Sequence, residues 1–67
     1  MNLNISFLSA EGQKKIEEIC ERFGVKEFDA YIDFYTSVTG KPVIQIDGEL
    51  TLKELRCLFV IAEFIYL

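Results

Sequence analysis

The sequence contains no histidine. The side chain that most readily changes charge near neutral pH is therefore missing, and with it the commonest general base and metal ligand. Two cysteines, Cys20 and Cys57, fall short of a zinc site, which takes about four Cys or His ligands at set spacings. Neither has a base beside it in sequence that would make it a nucleophile. Two cysteines allow one disulfide on paper. Both, however, fall on apolar faces of predicted helices, where free cysteine behaves as a small hydrophobe. No signal-peptide pattern opens the chain, so a reducing, cytoplasmic setting is expected.

Positive charge is scarce as well: 7 Lys and Arg stand against 11 Asp and Glu, a formal charge of −4. Nucleic-acid binders need a basic stripe to neutralise phosphates, and anionic membranes attract the same sign, so neither partner is expected. No apolar run reaches the ~20 residues that span a bilayer. Repeats, linkers and low-complexity segments are absent, and proline occurs once, at Pro42. The fragment SVTGKP has a Gly-Lys pair but neither the earlier glycine nor the Ser/Thr of a phosphate-binding loop. It reads as a hairpin turn. The run IDGEL lacks the alternating oxygen ligands of a calcium loop. Catalytic, cofactor-binding and metal-binding residues are thus all read as none, and the protein is expected not to be an enzyme.

What remains is a small, greasy fold, read as one domain over 1–67. At 67 residues and 51% hydrophobic, the chain sits near the lower size limit for folding without a staple. A core of this size supplies only ~3–5 kcal/mol net. With disulfide and metal set aside, association is the staple that is left. Leu3, Ile5 and Phe7 alternate with polar residues, predicting a strand over 2–7. Ser9 offers an N-cap for a helix over 10–23, whose apolar stripe is Ile16, Ile19, Cys20 and Phe23, and Gly24 ends it. Lys14, Lys15, Glu17, Glu18, Glu21 and Arg22 form its solvated side. Segments 30–38 and 42–48 read as a hairpin, with Pro42 tolerated at a strand start. A loop of Thr39, Gly40 and Lys41 would place Phe34 opposite Ile46, Asp33 opposite Asp47 and Tyr31 opposite Glu49. Such loops usually want glycine third, where Lys41 sits. Thr51 and Glu54 form a capping box that opens a helix over 52–66. The fold class is α+β, a β-α-β-β-α order with both helices on one face of a three-stranded sheet.

The last helix carries too much apolar circumference. Leu55, Leu58, Phe59, Ala62, Ile65 and Tyr66 form a broad face assigned to the core. Cys57, Val60, Ile61 and Phe64 form a second stripe, assigned to a symmetric homodimer contact. Other covers are the first helix of the same chain or a different protein. Symmetric pairs are the commonest solution for soluble oligomers. On the sheet side away from the helices, Tyr31, Asp33, Tyr35, Gln45, Asp47 and Glu49 should project together. Tyrosine is enriched at interfaces, and carboxylates speed encounter with a basic partner. Against this, antiparallel sheets commonly leave one face solvated, and tyrosine is a good strand residue. A hydrated cation between Asp33 and Asp47 is the minor alternative. The expectation is a small interaction or regulatory protein that pairs with itself and binds another protein. Phage and mobile-element inhibitors of host machinery share its size and charge, an analogy only. The rival expectations are a subunit of a hetero-oligomer docking its last helix on another chain and, less favoured, a small enzyme.

Overall fold

A computed structural model describes residues 2–66 of the chain. The element order is β1 (Leu3–Asn4), α1 (Ala10–Phe23), β2 (Tyr31–Thr36), β3 (Pro42–Asp47) and α2 (Leu52–Tyr66). This is the expected β-α-β-β-α fold, with both helix boundaries where the caps put them. The three strands lie in the order β1-β2-β3, with β1 parallel to β2 and β3 antiparallel to it.

Local chemistry accounts for each boundary of α1. Ser9 has extended backbone, and its Oγ accepts a hydrogen bond from Gly12 N–H at 3.2 Å. At the other end Gly24 turns left-handed, at φ 69°, and its N–H donates to Glu21 O. Val25 N–H donates to Cys20 O at 2.9 Å, and the Val25 side chain is buried. The opening strand is shorter than expected. Leu3 and Ile5 are buried, but Leu8 N–H bonds back to Ile5 O at 3.0 Å and turns the chain. Phe7 is consequently exposed, not packed.

The hairpin keeps its expected faces but not its expected register. Phe34 pairs with Ile44, Ile32 with Ile46, Asp33 with Gln45 and Tyr31 with Asp47. The loop is Val38-Thr39-Gly40, closed by Ser37 N–H to Lys41 O at 3.0 Å and Gly40 N–H to Ser37 O at 2.9 Å. Sliding the loop back by one residue puts Gly40, at φ 81°, in the third position that demands a left-handed backbone. Turn chemistry thus overrode the expected loop. Because the pairing moved by two residues, every side chain stayed on its expected side of the sheet. Asp33 and Asp47 are not directly opposed but stand diagonally on one face of the strand pair. Gly48, at φ 120°, follows the end of β3. A Cβ there would lie 3.1 Å from Ala30 Cβ and 3.2 Å from Ala30 Cα, which together with the positive φ favours glycine.

The core lies between the helices and the inner side of the sheet. It joins Ile16, Ile19 and Cys20 of α1 with Cys57, Leu58 and Ile61 of α2 over Leu3, Ile32, Phe34 and Phe28. Among the described residues no helix is long and apolar enough to cross a membrane.

Candidate interaction surface

Both ends of α2 are tied down, and the ties decide which of its sides is left over. At the start, Glu54 Oε1 accepts from Thr51 N–H at 2.8 Å, and Glu54 N–H donates to Thr51 Oγ1 at 3.2 Å. The second carboxylate oxygen, Oε2, accepts from Asp29 N–H at 2.7 Å, linking the helix to the loop before β2. Glu54 is therefore buried although charged. The bonds from Thr51 and then Asp29 hold its carboxyl below the usual carboxylate range. At the other end the Tyr66 hydroxyl lies 3.0 Å from Tyr35 O and 3.1 Å from Val43 O, one proton shared by two strands. Its ring lies 6.3 Å from that of Phe34, tilted by 45°. So α2 runs in the direction of β2, with its Tyr66 side toward β3.

These anchors turn the helix by about a quarter revolution from the expected orientation, at 100° per residue. Cys57 and Ile61, expected at a dimer contact, are fully buried in their own chain. Leu55 and Phe59, expected in the core, are exposed. Val60 is half-buried and Phe64 exposed, across from Lys15, Ile19 and Arg22 of α1. The stripe Cys57, Val60, Ile61, Phe64 is therefore not a free surface as a unit. Cys57 and Ile61 are core, on the same side of the helix as the buried Glu54. The Cys20 and Cys57 thiols are free and buried. Burial, reinforced by Cys20, pushes Cys57 up to about 12. Both are protonated and inert at neutral pH.

Uncovered apolar surface also lies on the other flank. Relative exposures are 62% for Phe59, 37% for Leu55, 43% for Ile46 and 37% for Ile44. Ile44 and Ile46 point to the helix side, like their cross-strand partners Phe34 and Ile32, which are buried. The apolar sheet face simply extends one strand further than α2 covers. Leu55, Phe59, Ala62 and Tyr66 recur at helical spacing on the flank nearest that strand. Sequence reasoning missed this surface. The signal was present in PVIQID, whose inward isoleucines needed a cover that two helices could not supply.

On the opposite side of the sheet, Tyr31, Asp33, Tyr35, Gln45 and Asp47 share one face, joined by Val43. Tyr31 and Tyr35 are both exposed. Asp33 is half-buried and accepts from Asn4 Nδ2 at 2.9 Å, which anchors β1 to the same face. Glu49 is exposed just past the end of β3. The structure thus brings five of the six expected residues together on the ladder and leaves the sixth beside it.

Comparison of the chain with protein-family models, with curated proteins and with solved structures finds no match.

Proposed function

We propose that the protein is a small non-enzymatic interaction or regulatory protein that works by associating through its β3–α2 flank. The observation that carries this reading is the exposure of Ile44, Ile46, Leu55 and Phe59 on adjoining elements of a very small fold. An apolar patch of a few hundred Å² on so small a protein marks an interaction site. Removing such area from water contributes ~25 cal/mol per Å², comparable in sum with the whole ~3–5 kcal/mol of a core this size. The outer face of Tyr31, Asp33, Tyr35, Gln45, Asp47 and Glu49 we assign to a second, basic protein partner. Its acidic groups would steer encounter, so that contact should weaken as salt is raised. A cytoplasmic setting belongs to the same proposal, in keeping with two free thiols.

Phe59→Glu tests the reading. The variant should keep the wild-type circular dichroism spectrum, because the side chain is mostly outside the core. Used as bait in a cytosolic extract supplemented with untagged protein, the wild type should retain at least one species that Phe59→Glu releases. Equal retention by both would overturn the reading.

A further inference from the structure

We propose that the occupant of the β3–α2 flank is a second copy of this chain, joined by antiparallel pairing of β3 with its mate. This rests on the association reading above and specifies its partner. The result is a continuous six-stranded sheet with two copies of α2 side by side over the junction.

The backbone supplies the first argument. Ile32 N–H donates to Asn2 O at 2.7 Å, so the even-numbered residues of β2 bond toward β1. Hydrogen-bonding direction alternates along a strand, so Tyr31, Asp33 and Tyr35 bond toward β3. Their partners Asp47, Gln45 and Val43 therefore turn their N–H and C=O groups toward β2, and Ile44 and Ile46 turn theirs out from the sheet edge. Edge strands are usually protected by lysine, inward-pointing charge or a bulge. Between residues 42 and 46 there is no charge at all, and Pro42 guards only the entrance.

The second argument is that this edge complements itself. With the two-fold axis at Gln45, Ile44 meets the second copy's Ile46, and the two exchange both hydrogen bonds. The same pair recurs on the other side of the axis, giving four bonds in all. Pro42 then falls beyond the bonded pairs, where its missing N–H leaves nothing unsatisfied. Lys41 stands at one end of β3 and Asp47 and Glu49 at the other. Antiparallel pairing sets Lys41 opposite the second copy's Glu49 and diagonal to its Asp47, once at each end. A parallel arrangement would set like charge on like.

Area supplies the third. Ile44, Ile46, Leu55 and Phe59 leave about 350 Å² of residue surface uncovered per copy, nearly half the ~800 Å² per partner of a standard interface. The other residues of the 41–49 segment, along a β3 about 20 Å long, add to this area. Pairing also merges the two outer faces, so that Tyr31 and Tyr35 of both copies lie on one acidic surface.

Light scattering across tens to hundreds of micromolar should give a single species of twice the 7.7 kDa chain. Gln45→Cys should cross-link to its mate on mild oxidation, because the two residues face each other across the axis. Val43→Cys, displaced from its own copy, should cross-link about tenfold less. Ile44→Pro removes an outward N–H and leaves the β2 ladder untouched, so it should give a folded monomer. Should that variant fail to fold, Phe59→Glu serves instead, with the same expected outcome. A wild type that stays monomeric, or equal cross-linking at positions 43 and 45, overturns pairing with a second copy. If such a monomer still retains another protein that Phe59→Glu releases, only the second-copy inference falls. If Phe59→Glu changes neither mass nor retention, the association reading falls with it.

Discussion

Ile61→Glu should leave no measurable folded population at 25 °C, whereas Phe59→Glu, two residues earlier on the same helix, should fold. Ile61 is fully buried between the helices and the sheet, in the cluster with Ile19, Cys57 and Leu58. Replacing it removes a packed aliphatic side chain, at ~2–5 kcal/mol, and adds a carboxylate with no partner in reach. The combined loss exceeds the ~3–5 kcal/mol that a core of this size supplies. Phe59 makes no comparable demand, and surface substitutions usually fall within about 0.5 kcal/mol of neutral. Circular dichroism with urea titration checks both. A cooperative unfolding transition in Ile61→Glu would mean that the core assignment of α2 is wrong.

Glu54→Ala should be the most damaging substitution of any charged residue, at about 3 kcal/mol. One carboxylate serves two backbone donors, Thr51 N–H and Asp29 N–H. Alanine leaves both partly buried donors without their acceptor, at ~1–3 kcal/mol each, and dismantles the capping box. Glu54→Gln keeps one acceptor oxygen and should lose roughly half as much. The same bonds set a pH dependence. They hold the folded carboxyl below its ordinary value of 4.5, so the unfolded chain takes up the proton first as pH falls. The contribution is complete well above that value and is lost as pH drops through the folded pKa. Urea midpoints measured at neutral pH and at about pH 3 should converge between wild type and Glu54→Gln. A constant gap, or a loss in Glu54→Ala under about 1 kcal/mol, would contradict this role.

Glu54 also shows where the sequence could and could not be read. Its place in the capping box was plain from the T-x-x-E spacing and set the start of α2 correctly. Its burial was not plain, because the third bond comes from Asp29, 25 positions away. Counted as solvated, Glu54 tilts a helix that is apolar all round toward Leu55 and Phe59. Counted as buried, it points the same helix at Cys57, Leu58 and Ile61. A side chain's charge fixes its side of a helix only when no backbone donor waits for it. The hairpin was read in the same partial way. Alternation placed Tyr31, Asp33 and Tyr35 on one face and Ile32 and Phe34 on the other, and that survived a register error of two residues. The register itself was settled by Gly40, the residue able to adopt the backbone its loop requires. The edge position of β3, which exposes Ile44 and Ile46, depends on strand order, about which period-two patterning says nothing.

The two-residue β1 imposes an order in time. Asn4 finds Asp33 across 29 positions of chain, while β2 and β3 are neighbours through a three-residue loop. Closing the long loop costs entropy before the short parallel pairing returns anything. The hairpin and α2 should thus form the folding nucleus, with the opening strand arriving after the rate-limiting barrier. Leu3→Ala should then speed unfolding in stopped-flow traces and leave the refolding rate nearly unchanged; slowed refolding would place β1 in the nucleus.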